Sequence, residues 1–145
     1  MDSLVGRTLL GKDGTLKSVD DAFDKKVKTI LYYFTASYVH EQKHIAYALQ
    51  NVYNESKLRN IGWEVIYVTS DTKETEFMKD FQSETHGNWY ALPMKDPTAY
   101  ELRYKYNITN LPNIVVVRLN GDIVTTNGRV ELEAIGMNVL VTWDI

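Results

Sequence analysis

Residues 29–34 read Thr-Ile-Leu-Tyr-Tyr-Phe, a continuous run of residue types that favour β-structure. The run is too short for a helix and has no polar face, so it predicts a strand buried on both sides in the middle of a sheet. A similar run, Trp-Glu-Val-Ile-Tyr-Val-Thr, occupies residues 63–69. Between the two runs, apolar side chains recur at helical spacing and predict a long helix over residues 39–58.

The chain after the second strand predicts two further helices. We expect the first to start at Ser70 or Asp71 and to end at the His-Gly-Asn sequence of residues 86–88, because Gly and Asn often follow a helix. We expect the second to run from Asp96-Pro97, with proline in its first turn, to about Tyr106.

Hairpins are predicted near both ends of the chain. Asn120-Gly121 separates the apolar segments 114–117 and 122–125, and this dipeptide is a strong hairpin signal. Residues 11–14, Gly-Lys-Asp-Gly, predict a turn in a small hairpin near the start of the chain.

Two more helices complete the prediction. A short polar helix is expected over residues 20–26, capped by Ser18. The last helix is expected to place a set of apolar residues on one face: Leu132, Ile135, Val139, Leu140 and Trp143.

This order of elements predicts an α/β fold. Strands that alternate with helices imply right-handed parallel crossovers, and the hairpin adds an antiparallel edge. A chain of 145 residues fits one domain. We therefore expect a single domain over residues 1–145 with a mixed central β-sheet flanked by helices.

The composition excludes several classes of function. The net charge is −3 and the pI is about 5.6, which does not favour binding to nucleic acid or to an anionic membrane. No stretch approaches the roughly 18 apolar residues of a membrane span, and the first residues do not resemble a signal peptide. We expect a cytoplasmic protein, with the nucleus as an additional location.

The chain has no cysteine, so it has no disulfide and no thiolate ligand or nucleophile.

Several segments resemble, in order and spacing, the nucleoredoxin and tryparedoxin branch of the thioredoxin superfamily. They are I-L-Y-Y-F-T-A-S-Y-V at 30–39, V-I-Y-V-T-S-D at 65–71, T-H-G-N-W at 85–89, Y-N-I-T-N-L-P-N-I-V-V-V at 106–117 and N-G-R at 127–129. The resemblance implies a thioredoxin-like fold. It also implies that Pro112 follows a cis peptide bond.

The sequence departs from that family at the active site. Where the family has W-C-P-P-C, this chain has Tyr38, Val39, His40, Glu41 and Gln42. Thiol–disulfide exchange needs a thiolate, and neither valine nor glutamine supplies one. The resemblance therefore implies the fold without catalysis and without a cofactor. A family-level interpretation would instead name the chain a protein-disulfide reductase.

The resemblance also implies a groove for an extended peptide. Its residues here would be Tyr38 and Val39 from the degenerate active-site loop and Leu111 and Pro112 from the proline loop. We expect the partner to be a protein or an extended peptide that pairs with the backbone of Leu111.

Residues 40–44, His-Glu-Gln-Lys-His, match the H-E-x-x-H pattern of zinc hydrolases. In a helix, His40 and His44 would share one face and could hold a metal ion. Lys43 opposes this, and the sequence does not place a third ligand. The loosely suitable third ligands are Glu55, Glu64 and His86. The favoured interpretation is a solvent-facing first turn of the helix without a metal.

Other side chains have simple structural interpretations. Tyr33 stands six positions before Val39, close to where many thioredoxins have a buried carboxylate, and it is expected to pack in the sheet with its hydroxyl hydrogen-bonded. His86 is expected to be a satisfied structural histidine at a helix end. Tyr100 and Tyr104 are expected to form a half-exposed packing pair.

Overall fold

The computed structural model describes residues 4–39 and 42–144, without the side chain of Gln42. These residues form one seven-stranded sheet with the order β2-β1-β5-β4-β3-β6-β7. The strands are β1 Thr8–Leu10, β2 Leu16–Ser18, β3 Thr29–Thr35, β4 Trp63–Thr69, β5 Tyr90–Ala91, β6 Asn113–Arg118 and β7 Ile123–Thr125. The helices are α1 Val19–Ala22, α2 Gln42–Leu58, α3 Glu74–Phe81, α4 Pro97–Lys105, α5 Gly128–Ile135 and α6 Val139–Thr142.

The sheet is mixed, as the sequence predicts. The central strands β3 and β4 are parallel, while β6 pairs with β3 in the antiparallel direction. The β6–β7 and β1–β2 hairpins are both antiparallel. The predicted fold class is therefore confirmed.

Both faces of the sheet are covered. Leu31 and Tyr33 of β3 face a core that also contains buried residues of α2, α3, α5 and α6. Ile30, Tyr32 and Phe34 face a second core, which contains residues of α1 and α4. Because helices pack on both sides, the central strands are apolar along their whole length rather than alternating.

Gly62 makes the tight turn that leads into β4. Its φ is +84°, and its carbonyl oxygen accepts a hydrogen bond from the Lys28 N–H at 2.8 Å. A Cβ at this position would lie 2.2 Å from the Lys26 carbonyl oxygen. The turn therefore requires glycine both for its conformation and for its space.

The predicted helix from Ser70 or Asp71 to residues 86–88 is wrong at both ends. The helix α3 covers only Glu74–Phe81, and the backbone of Lys73, the residue before it, is extended. Asp71 does not start the helix because its side chain and backbone bond to Ser37 and Thr69. The two-residue strand β5, which the sequence analysis missed, pairs with β4 after the loop 82–89.

The predicted C-terminal helix is also wrong in part. It is divided into α5, a 3-10 turn at Gly136–Asn138, and α6. Gly136 has a φ of +56°, which a continuous right-handed helix does not allow. Ile135 is 39% exposed and does not join the buried face, whereas Leu132, Val139, Leu140 and Trp143 do.

Smaller differences concern the other helices. The helix α1 ends at Ala22 rather than Lys26, although Ser18 caps it as predicted by accepting a hydrogen bond from the Asp21 N–H. The described part of α2 begins at Gln42, and Val39, where the helix was expected to start, is not helical. Within the described part of the chain, no helix has the length and apolar character that a membrane crossing requires.

Candidate functional site

Asp71 anchors Ser37, the residue that precedes the segment resembling the family's active site. Its carboxylate accepts hydrogen bonds from the backbone N–H of Ser37 at 3.0 Å, from the Ser37 hydroxyl at 2.6 Å and from the Thr69 hydroxyl at 2.7 Å. Asp71 is buried, and its own N–H donates to the Thr69 hydroxyl oxygen at 2.9 Å. The chain that leaves β3 is thereby fixed to the end of β4.

The proline loop lies at the same end of the sheet. The peptide bond between Leu111 and Pro112 is cis. Asn113, the next residue, pairs with Phe34 near the end of β3. Because β6 runs antiparallel to β3, the start of β6 lies beside the end of β3, where the chain continues to Ser37.

The groove residues named from the sequence differ in exposure. Tyr38 is 55% exposed, Val39 and Leu111 are half-buried, and Pro112 is buried. No backbone hydrogen bond joins Leu111 to another described residue. The structure thus brings Tyr38, Val39, Leu111 and Pro112 to the same end of the sheet, where β3 ends and β6 begins.

The remaining degenerate positions lie at or beyond the limit of the described chain. His40 and Glu41 lie outside the described residues, and Gln42 is described only as the first residue of α2. Two of the three defined residues of the H-E-x-x-H pattern, His40 and Glu41, are therefore outside the described chain.

The described half of the possible metal site has other contacts. His44 is exposed, and its Nε2 lies 3.7 Å from a carboxylate oxygen of Glu133. Each residue considered as a third ligand has a partner of its own: Glu55 pairs with Arg59, Glu64 with Lys57 and His86 with Asp80. Among residues 4–39 and 42–144, no three His, Cys, Asp or Glu side chains are clustered to hold a metal ion.

A buried polar cluster lies on the α3 side of the sheet. A carboxylate oxygen of Asp80 lies 2.9 Å from the Nε2 of His86 and accepts a hydrogen bond from the Tyr67 hydroxyl at 2.8 Å. Burial, strengthened by the nearby Asp80 carboxylate, raises the pKa of Tyr67 and of Tyr33 well above the ordinary value for tyrosine. His86 is fully buried in this cluster, whereas the Asp80 side chain is 14% exposed.

Two expectations for this cluster need correction. His86 lies five positions past the end of α3, and its Nδ1 has no hydrogen-bond partner among the described residues. Tyr33 packs in the sheet as expected. Its hydroxyl lies near Thr35, but it forms no hydrogen bond of good geometry with a described residue. Packing of aromatic rings, including Trp89 edge-on to His86, surrounds both groups.

Lys12 holds the loop between α3 and β5, a role that the sequence analysis missed. Its Nζ donates to the carbonyl oxygens of Ser83, at 2.8 Å, and of His86. Partial burial lowers the pKa of Lys12. The contact joins residues more than seventy positions apart, so no local sequence signal could have revealed it.

Residues 26–123 match the family model described as Thioredoxin-like. The chain belongs to the thioredoxin-like family. Within it, the chain is 31% identical over 121 residues to Probable nucleoredoxin 1 of Arabidopsis thaliana, a match that covers 83% of this chain and 20% of that protein. Nucleoredoxin of Bos taurus is 30% identical over 101 residues, or 69% of this chain and 22% of that protein. The chain therefore spans about a fifth of the length of the nucleoredoxins that it matches.

Solved structures of this thioredoxin-like branch superpose over nearly the whole chain. Thioredoxin related protein 16 of Carcinoscorpius rotundicauda has a TM-score of 0.83 and 28% identity, with 100% of both chains covered. Native tryparedoxin I of Crithidia fasciculata has a TM-score of 0.78 and 25% identity, with 92% of this chain and 90% of that chain covered. The protein is thus a nucleoredoxin- and tryparedoxin-like member of the family, and it has no cysteine.

Proposed function

We propose that this protein is a redox-inactive, protein-binding member of the thioredoxin-like family. It would bind an extended segment of a partner protein at the end of the sheet where the active-site loop and the proline loop meet. The observation that carries the proposal is the attachment of Ser37 to the buried Asp71 carboxylate in a chain without cysteine. The first residue of the loop is anchored although the residues that perform the family's chemistry are absent.

The absence of a thiol supports the redox-inactive part of the proposal. Exchange begins when a thiolate attacks a disulfide sulfur and forms a mixed disulfide. Val39 has only a hydrocarbon side chain, and the 145 residues include no cysteine. In a standard assay of insulin reduction, we expect no turnover above a heat-denatured sample. Turnover that persists through repurification would support the disulfide reductase interpretation instead.

The exposed surface supports the protein-binding part. Tyr38 offers an aromatic ring, a side-chain type that often contributes strongly to binding energy. The backbone of Leu111 has no partner among the described residues, so a passing strand could pair with it. Because no mixed disulfide would hold a short peptide, we expect the physiological partner to be a folded protein with contacts beyond the groove.

A structural relative supports a regulatory role. Thioredoxin related protein 16, which matches the whole chain, has a role in regulating the activity of the transcription factor NF-kB. A role in regulation through protein contact is the kind that we propose here, with a partner that is still to be identified. The location that we propose for it is the cytoplasm, with the nucleus as an additional location.

Site-specific crosslinking tests the groove. A photoreactive phenylalanine at position 38 should capture a partner, whereas the same residue at position 47 should not. Tyr47 is a matched control because it is 49% exposed, close to the 55% of Tyr38, but lies on α2. With the purified partner, we expect Tyr38→Ala to weaken binding about tenfold or more, and Tyr47→Ala to change it less than about twofold. Equal effects of the two variants would refute the groove.

A further inference from the structure

Helix α4 and the turn that follows it line an open depression with a set of side chains that we call the α4 stripe. The residues that form this α4 stripe lie at positions i, i+3, i+4, i+7 and i+8: Tyr100, Arg103, Tyr104, Asn107 and Ile108. The first three of these residues lie in the helix, and Asn107 and Ile108 lie in the turn that follows it. The buried side of the helix is a different one, formed by Ala99 and Leu102.

The two tyrosines of the α4 stripe are more exposed than the sequence suggests. Tyr100 is 68% exposed and Tyr104 is 81% exposed, so the expected half-exposed packing pair is wrong. The stripe lines an open depression of about 590 Å³. Both rings stand beside this depression with most of their surface in solvent.

The C-terminal end of α4 gives the depression a fixed wall. Asn107 has a left-handed φ of +52°, and its N–H donates to the Tyr104 carbonyl oxygen at 3.2 Å. The Ile108 N–H donates to the Arg103 carbonyl oxygen at 2.9 Å. This pair of bonds is the Schellman arrangement, which turns the chain back so that Ile108 packs against the second core.

Arg103 lies in the middle of the stripe with its guanidinium held in place. Its Nη1 donates to the carbonyl oxygen of Thr69, the last residue of β4, at 3.0 Å. A guanidinium has five N–H donors in a planar fork, so this bond fixes the orientation and leaves other donors available.

The guanidinium of Arg103 has no acidic partner within the described part of the chain. By contrast, Arg7, Arg59 and Arg129 each pair with a carboxylate. Arg103 therefore presents an oriented guanidinium beside two exposed aromatic rings. It lacks the carboxylate partner that most arginines of this protein have.

We propose that the α4 stripe binds an acidic side chain of a partner protein, with aliphatic neighbours of that side chain resting on Tyr100 and Tyr104. A planar guanidinium binds a carboxylate through two parallel hydrogen bonds, and arginine and tyrosine are the residue types enriched at the energetic centres of interfaces. A carboxylate fits better than a phosphate, because phosphate recognition uses clusters of cations. Lys105, the nearest cation in the sequence, lies over the Tyr106 ring at 5.4 Å.

This inference does not rest on the peptide groove. None of the residues of the α4 stripe belongs to the loops 37–39 or 110–113 that form the groove. A substitution of Arg103 can therefore abolish binding at the stripe while binding at Tyr38 is kept, and the reverse holds for a substitution of Tyr38. These outcomes separate the two proposals.

The test is a titration of the whole protein, followed by NMR, with a matched pair of peptides. The probe is acetyl-Gly-Leu-Glu-Leu-Gly-amide, and its control has glutamine in place of glutamate. We expect saturable shifts of the Arg103 Nε resonance and of the α4 amides, with the glutamate peptide binding at least about fivefold tighter than the control. Equal affinity of the two peptides, or shifts confined to other surfaces, would overturn the proposal.

Three variants localise the effect. Arg103→Lys keeps the charge but removes the planar fork, and we expect it to lower the affinity for the glutamate peptide at least about fivefold. Lys105→Gln removes a positive charge from the same helix outside the stripe, and we expect a change below about twofold. Tyr104→Ala, which truncates a side chain that is 81% exposed, should weaken both peptides without unfolding the protein. If Lys105→Gln matched Arg103→Lys, or if Tyr104→Ala had no effect, the stripe would be an ordinary solvated surface.

Discussion

At the scale of single residues, Asp71 is the side chain with the clearest positioning role. It receives hydrogen bonds from residues of two different elements, Ser37 after β3 and Thr69 in β4. A buried carboxylate needs such donors, because leaving it unpaired would be costly. Ser37 is in turn the last anchored residue before the exposed ring of Tyr38.

We predict that Asp71→Asn lowers the free energy of unfolding by about 1–3 kcal/mol. The amide nitrogen that replaces one carboxylate oxygen cannot accept a hydrogen bond, so either Ser37 or Thr69 loses its partner. Chemical denaturation measures the stability, and hydrogen exchange of the Ser37 N–H reports on the loop. The control is Asp20→Asn at an exposed position in α1. An equal effect of the two substitutions, or unchanged exchange at Ser37, would contradict the role of Asp71.

The roles of single residues could be predicted from the sequence only in part. The loss of both cysteine positions, at Val39 and Gln42, follows directly from the aligned segments. The bond between Ser37 and Asp71 joins residues 34 positions apart, so only the folded chain reveals it. The same holds for Arg103 and Thr69.

At the scale of elements, the resemblance aligns Val39 and Gln42, at the approach to and the first described residue of α2, with the family's reactive thiols. Helix N-termini carry unpaired N–H groups and the positive end of the helix dipole, and both stabilise a thiolate. We therefore predict that Val39→Cys combined with Gln42→Cys gives a dithiol that forms an intramolecular disulfide on mild oxidation. Thiol titration before and after oxidation measures it. The control is Val39→Cys alone, which should keep its thiol under the same conditions at low protein concentration.

The failure of that prediction would be informative. If the double variant folds but keeps both thiols after oxidation, the alignment of residues 38–42 with the family's active site is wrong. A circular dichroism spectrum that matches the parent protein establishes the fold.

The turn at Gly62 gives a second prediction at this scale. Gly62→Ala should lower the free energy of unfolding by more than about 2 kcal/mol, because the left-handed conformation and the contact with the Lys26 carbonyl oxygen both penalise a side chain. Gly121→Ala is the matched control, since Gly121 also has a positive φ of +99° but has nothing within 4 Å of its Cβ position. Thermal or denaturant unfolding of both variants separates the steric contribution. Similar losses would show that only the backbone conformation matters.

Elements with strong local signals could be predicted well. The strand β4 agrees with the sequence prediction at both ends, and β3 extends one residue further, because burial on both faces produces unbroken apolar runs. The errors occur where distant contacts decide the structure. The strand β5 has only two residues and exists because Ile66 and Tyr67 pair with it.

At the scale of the whole molecule, buried tyrosines make stability sensitive to alkaline pH. Burial raises the pKa of a group of tyrosines well above the ordinary value: Tyr32, Tyr33, Tyr53 and Tyr67. An unfolded chain releases these protons near pH ~10. Above that pH the folded state holds protons that the unfolded state has lost, so stability is full below about pH 10 and falls as pH rises further.

We predict that the free energy of unfolding decreases steeply above about pH 10 and that Tyr67→Phe makes this decrease shallower. The variant is less stable at neutral pH because it loses the hydrogen bond to Asp80, but it has one fewer group to ionise on unfolding. Tyr104→Phe, at a position that is 81% exposed, should keep the pH dependence of the parent protein. Denaturant unfolding at a series of pH values measures all three. Parallel curves for all three proteins would contradict the assignment to buried tyrosines.

The order of the strands in the sheet affects the solubility of the protein. Its outer strands β2 and β7 are short, three residues each, and its most apolar strands β3 and β4 lie in the interior, paired on both sides. Segments such as residues 29–34 have the composition of cross-β spines when their edges are unpaired. The native fold thus keeps these apolar segments paired in the interior of the sheet, and the chain has no disulfide that would limit their exposure after unfolding. Every substitution that shifts the folding equilibrium toward the unfolded chain therefore also raises the concentration of chains in which these segments are exposed.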